Sequence, residues 1–219
     1  MTPITFWFDP VSPYAYLAFE RLPQALEGCS YAVSYRPLLF AGLLAHWGQL
    51  GPAEIAPKRD WTYRRVAWLA HRDGVPLAMP AAHPFNPLPL LRLLVACGED
   101  GTANRYQCEA VLHQVWRSGA AGDDATVLAR LAAQLAPVRD PRSNAVKQAL
   151  RANTDAAIAL GIFGVPTLEL PHGDPSHAPL LLWGADALDM ARARLCGDAW
   201  FDSAWDIAAA VPAGVRRPR

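Results

Sequence analysis

Residues 6–18 read Phe6-Trp7-Phe8-Asp9-Pro10-Val11-Ser12-Pro13-Tyr14-Ala15-Tyr16-Leu17-Ala18, and the chain changes character in the middle of them. Upstream, Ile4 to Phe8 is an apolar run rich in β-formers that Asp9-Pro10 stops, so a short buried strand should leave into a turn. Ser12-Pro13 has the chemistry of a helix start. The serine hydroxyl can accept from a free N–H of the first turn, and proline at the first helical position has no N–H to leave unpaired. The pattern predicts a helix from Pro13 to about Glu27, with Tyr14, Leu17, Ala18 and Leu22 on one face, Pro23 bending or restarting it, and Gly28 ending it. Beyond it Tyr31, Val33 and Tyr35 alternate with Ala32, Ser34 and Arg36, which predicts a second strand. The opening is therefore a β-α-β unit, most simply with parallel strands.

From about Leu38 to Leu160 the patterns are helical: Trp61 to Arg72, Leu88 to Cys97, Ala103 to Arg117 behind Thr102, Ala125 to Ala136 behind Asp123, and Ser143 to Leu160. Strand signals return at Thr167 to Leu170 and Leu180 to Trp183, joined by the turn Pro171 to Pro179, and a helix is expected from Asp186 to about Leu195. Neither β-region has enough strands for a sheet of its own. The expectation is an α/β chain in which one sheet domain, residues 1–40 and 161–219, is interrupted by an all-helical insertion at residues 41–142, with the helix at 143–160 bridging the two parts.

Composition narrows the function. Of 219 residues 52% are hydrophobic and 18% charged, enough apolar surface for a core and too much for a disordered chain. Lys plus Arg and Asp plus Glu number 20 each, so no net field draws the chain to nucleic acid or an anionic membrane. Cys29, Cys97, Cys108 and Cys196 lie far apart in sequence and form no Cys-x-x-Cys pair, and the six histidines have no metal-ligand spacing. With no leader-like N-terminus and no apolar run near the ~18 residues of a membrane span, the expectation is a soluble, reduced, cytoplasmic protein.

Two places have the makings of a site. At Ser12 a hydroxyl that caps its helix can also donate its own hydrogen to an anion, and the helix N-terminus favours negative charge; the cap alone would also explain the residue. At Phe163-Gly164-Val165-Pro166-Thr167 a proline follows a β-branched residue just before a strand. That is either a simple turn or a cis bond presenting the backbone of Val165 to an extended peptide-like ligand.

The opening FWFDPVSPYAYLA, the stretch ANTDAAIALGIFGVPTLEL and the following LWGADAL together resemble the 2-hydroxychromene-2-carboxylate isomerases and the related kappa-class glutathione transferases. The resemblance implies a DsbA-like thioredoxin fold and glutathione as cofactor. Where dithiol oxidases of that branch carry Cys-x-x-Cys, this chain has Ser12-Pro13-Tyr14-Ala15, so thiol–disulfide exchange there has no nucleophile. What the resemblance assigns instead is a catalytic Ser12 donating to the glutathione thiolate. It further implies Lys58 at the glycine end of glutathione, Asn86 at the mouth of the site, Val165 pairing its backbone with the cysteinyl part beside a cis Pro166, and Asp186 with Ala185 at the γ-glutamyl end. Lys58 reads equally as a solvated surface lysine, and Asn86 as the N-cap of a helix opened by Pro87.

Around Asp186 the chain departs from the family, whose members usually carry an amide before and a guanidinium after the aspartate; here Ala185 and Ala187 flank it. The aromatic residues Trp61, Trp68, Trp116 and Trp183 are candidates to line a pocket for a flat aromatic acid, with Arg36, Arg64 or Arg65 meeting its carboxylate, although packing or solvation explains each as well. The function implied is a glutathione-dependent cis–trans isomerase of 2-hydroxychromene-2-carboxylate or a similar aromatic catabolite, commonly a homodimer in the family. The alternatives are a kappa-like glutathione transferase or peroxidase and a non-catalytic thioredoxin-fold binding protein.

Overall fold

In the computed structural model, which describes residues 1–120, 122–212 and 214, the opening motif folds as β1 (Thr2–Phe8), a turn and α1 (Pro13–Ala25), followed by β2 (Tyr31–Pro37). Then come α2 (Phe40–Trp47), a 3₁₀ turn (Pro52–Glu54), α3 (Ala56–Arg72), α4 (Leu88–Cys97), α5 (Arg105–Trp116), α6 (Ala125–Leu135) and α7 (Asn144–Ala159). The chain closes with β3 (Thr167–Leu170), β4 (Leu180–Trp183), α8 (Leu188–Leu195), α9 (Trp200–Ser203) and α10 (Trp205–Ala209). The tail of the expected sheet domain at residues 213 and 215–219 lies outside the described residues.

The four strands form one mixed sheet in the order β2-β1-β3-β4. β1 pairs with β2 in parallel along its length and with β3 antiparallel through Thr5, Phe6 and Trp7. An inner strand is covered on both faces, which is why Phe6, Trp7 and Phe8 are all buried although they alternate in direction. Phe6 and Phe8 join Leu168 and Leu182 in the larger core with α1 and α8. Trp7 points the other way, into a smaller core with Leu38, Leu43, Ala157, Ile162 and Val165. The larger core continues without a break into the helices, through Val66, Leu90, Leu94, Leu112 and Trp116.

Several boundaries differ from expectation. α1 ends at Ala25 and runs through Pro23 in its last turn rather than bending there; of the predicted stripe it buries Leu17, Ala18 and Leu22 but leaves Tyr14 half-buried, and it buries Ala15, Tyr16 and Phe19 as well, because it packs on α3, α5 and α8 in turn. α3 starts at Ala56, five positions before Trp61, with Pro57 in its first turn. α5 is capped by Asn104 in a reciprocal box with Gln107, not by Thr102, and α6 by Asp124, not Asp123. α8 begins at Leu188 rather than Asp186, since Gly184 to Ala187 make a turn first. Helices α2, α9 and α10 were not anticipated individually. α4, β3 and β4 have the predicted bounds.

Candidate active site at the start of the first helix

Ser12 is the N-cap of α1, buried to 7% exposure. Its Oγ accepts from the N–H of Ala15 at 3.2 Å and donates to the carbonyl of Val165 at 3.3 Å, 153 residues further along. The second contact is long for an O–H···O bond, so it holds the hydroxyl hydrogen weakly. The two sequence motifs thus meet at one atom. Val165–Pro166 is a cis peptide bond, and Thr167 Oγ1 donates to Gly164 O at 2.8 Å below it. No acidic residue occupies the first turn of α1, so no carboxylate within the helix itself offsets the positive end of its dipole.

The turn carrying Ser12 is held through nearly every polar group it has. Ser12 N–H donates to Asp9 O at 3.0 Å, and Val11 N–H donates to Asp9 Oδ1 at 2.9 Å. Asp9 Oδ2 accepts from Phe40 N–H at 2.9 Å, which fastens the start of α2 beneath the turn. Asp9 is fully buried, and burial pushes its carboxyl up to about 7, with the bonds from Val11 and Phe40 acting in the opposite sense. From the helical side, Trp116 Nε1–H donates to Pro10 O at 2.8 Å, and His83 Nε2 sits 2.8 Å from Val11 O. A carbonyl only accepts, so His83 carries a hydrogen on Nε2; the Tyr63 hydroxyl lies 2.8 Å from His83 Nδ1 and 2.9 Å from His83 O, with one hydrogen to share between them. Burial holds His83 below its ordinary value, which favours the neutral form.

Sequence reasoning missed Asp9, His83 and Tyr63; of the two readings open for Trp116, a pocket wall or core packing, the structure shows packing. Trp116 is fully buried against the turn. Trp61 and Trp68 are exposed on α3, Trp68 beneath the Arg72 guanidinium, and Trp183 is 55% exposed with its ring 4.9 Å from Phe163. Among these arginines, Arg65 stands beside the first turn of α1 and Asp186: its guanidinium lies 5.9 Å from the Tyr14 ring and 3.8 Å from Asp186 Oδ2. Arg36 stacks on Trp7, and Arg64 is exposed on α3.

Lys58 is exposed in the first turn of α3. Asn86 is not the cap residue itself. Pro87 takes that position, and Asn86 Oδ1 accepts from Leu88 N–H at 3.1 Å, so the side chain still satisfies a first-turn donor from one residue further out. Asp186 stands exposed in the turn before α8, while Ala185 and Ala187 are buried in the larger core. The Ala185 and Ala187 methyl groups therefore pack inward.

A family model described as the DSBA-like thioredoxin domain matches residues 3–196. Over 203 residues the chain is 30% identical to a 2-hydroxychromene-2-carboxylate isomerase of Pseudomonas putida, covering 88% of this chain and 95% of that one. This chain belongs to the 2-hydroxychromene-2-carboxylate isomerase family. A Caenorhabditis elegans protein named glutathione S-transferase kappa 2 is 28% identical over 201 residues, covering 84% of this chain and 88% of its own. A solved 2-hydroxychromene-2-carboxylate isomerase structure superposes with a TM-score of 0.73 at 27% identity, over 89% of this chain and 96% of that one. The isomerase family is a family of enzymes, and its DsbA-like thioredoxin fold is the α/β arrangement expected from the sequence. Among the described residues no helix is long and apolar enough to cross a membrane.

Proposed function

We propose that the chain is a glutathione-dependent cis–trans isomerase of 2-hydroxychromene-2-carboxylate or a similar aromatic catabolite, working as a cytoplasmic homodimer. One observation carries the reading: a hydroxyl at a helix N-terminus meets the backbone before a cis proline, Ser12 Oγ to Val165 O at 3.3 Å. That combination fits a thiol-bearing peptide, because an extended ligand can pair with the Val165 backbone while its sulfur faces the helix end.

When bound, glutathione supplies a thiolate that can add to a conjugated double bond and leave again. Ser12 then turns its single hydrogen from Val165 O towards the sulfur, and the dipole of α1, with no carboxylate in its first turn, favours the ionised form. Lys58 supports a carboxylate for a physical reason. A cation in the first turn of a helix faces an unfavourable dipole, and an anionic partner would offset that. Asp186 takes the γ-glutamyl ammonium, since its 3.8 Å approach to Arg65 at the surface is a weak competitor. Ala185 shapes the backbone of that turn, and Asn86 borders the mouth, three residues from His83, whose Nε2 meets the Ser12 turn at Val11 O. Arg65 is the arginine best placed to meet a substrate carboxylate.

The test is the ultraviolet thiolate absorbance of glutathione titrated with the protein and with Ser12→Ala. A bound thiol ionising well below its free value in the wild type, and not in the variant, supports the reading; a thiol that titrates as in water rejects it. Product analysis separates the kappa-like alternative, because an isomerase returns glutathione unchanged whereas a transferase consumes it.

A further inference from the structure

The fold brings together two of the four scattered cysteines. Cys29, in the turn after α1, and Cys196, the C-cap of α8, are 167 positions apart, yet their Sγ atoms lie 3.9 Å from one another. The contact is built. Arg192 on α8 donates to the carbonyls of Ala25 at 3.2 Å and Glu27 at 2.6 Å, docking the end of α8 on the end of α1. Both thiols stand beside a left-handed glycine, Gly28 and Gly197, each with φ +82°, in turns where side chains can rotate without breaking a strand or helix ladder. A disulfide needs the sulfurs at about 2.05 Å, so closure requires a shift of only about 2 Å. Cys196 is exposed and Cys29 partly so, whereas Cys97 and Cys108 are buried, and burial pushes the Cys97 thiol up to about 11.

We propose that Cys29 and Cys196 form a dithiol site, separate from Ser12, which reacts with a low-molecular-weight disulfide and closes to an intramolecular disulfide. The exposed Cys196 thiolate attacks one sulfur of the small disulfide, forming a mixed disulfide and releasing one thiolate. Cys29 then loses its proton to solvent and attacks the Cys196 sulfur, expelling the second thiolate. The two protein thiols lose two electrons and two protons, and the small disulfide gains the electrons and becomes two thiols. Cys196 is the more exposed of the two and meets the small disulfide first, which makes Cys29 the resolving partner. The bond would tie together the C-terminal ends of the two helices near whose opposite ends Ser12 and Asp186 stand, and would leave the sulfur-free segment Ser12 to Ala15 untouched.

The experiment reduces the protein, removes the reductant and adds glutathione disulfide. It follows native thiol count, intact mass, peptide mapping and thermal melting for the wild type, Cys29→Ser and Cys196→Ser. The expected wild type loses two accessible thiols and the mass of two hydrogens, gives a Cys29–Cys196 linked peptide, and melts roughly 10 °C higher until a reductant is added. Cys29→Ser should stop as a mixed disulfide on Cys196, and Cys196→Ser should stay largely unmodified. A wild type that halts at the mixed disulfide, couples between molecules, or keeps both thiols free overturns the proposal. None of these outcomes depends on glutathione binding at Ser12.

Discussion

Ser12 has one hydrogen to give, and the Val165 carbonyl holds it through a contact of 3.3 Å. Removing the hydroxyl should therefore cost little in fold and much in chemistry. Ser12→Ala should lower unfolding free energy by about 1 kcal/mol, the usual cost of a lost N-cap, in denaturant titration. Ser12→Thr, which keeps the hydroxyl, should retain the shift of the bound thiol that Ser12→Ala abolishes. Asp9 gives a prediction in pH. Its folded carboxyl ionises at about 7 against an ordinary 3.8, so the folded state binds a proton more readily between these values. The contribution is fully present below the ordinary carboxylate value and is lost as pH rises through about 7, on the order of 4 kcal/mol in all. Compared with Asp9→Asn, the wild type should gain stability from pH 8 to pH 5 in urea unfolding. A constant difference between the two would show that Asp9 does not titrate. Ser12 was legible because cap and proline are adjacent in sequence. Asp9 was not, because Asp-Pro reads as an ordinary turn and its second donor, Phe40 N–H, lies 31 positions away.

At the scale of elements, the active turn is set by its neighbours more than by its own four residues. Trp116 from α5 and His83 from the loop before α4 each donate to one of its carbonyls. Trp116→Phe would keep the aromatic packing but leave Pro10 O buried without a donor, a loss of about 1–3 kcal/mol in chemical unfolding. Thiol activation should weaken with it if the turn shifts, and the thiolate titration reads this directly. The elements that local chemistry marks clearly were legible: α4 ends against Gly98, and β3, which alternates leucine with Thr167 and Glu169, and the apolar β4 stand on either side of a Pro/Gly-rich turn. α2 has no capping side chain and is apolar on most sides, and α9 and α10 are too short for any periodicity to register. Asp186 was placed in a helix because the turn from Gly184 to Ala187 is closed by a backbone bond, Ala187 N–H to Gly184 O, that no side chain announces.

For the whole molecule, the division at residues 40 and 142 is a proposal about topology, and the packing qualifies what it means. One core runs from Phe6 and Leu168 in the sheet to Leu94, Leu112 and Trp116 in the helices, so the two parts should unfold together. A single calorimetric transition is expected, and saturating glutathione should raise it by several degrees, about 3 kcal/mol of stabilisation at a hundredfold excess over the dissociation constant. The overall order of strands and helices was readable from hydrophobic periodicity. The continuity of the core was not, because it depends on which faces meet after the chain has returned. The sheet order β2-β1-β3-β4 also bears on how the protein is made. β1 and β2 leave the ribosome together, and the strand that must cover the other edge of β1 follows about 130 residues later, roughly ten seconds of synthesis. Throughout that interval the edge of β1 at Thr5, Phe6 and Trp7 would lack the strand that pairs with it in the folded chain. Slow translation through the helical stretch should therefore favour aggregation, and a chaperone that shields extended apolar segments should find its target in β1.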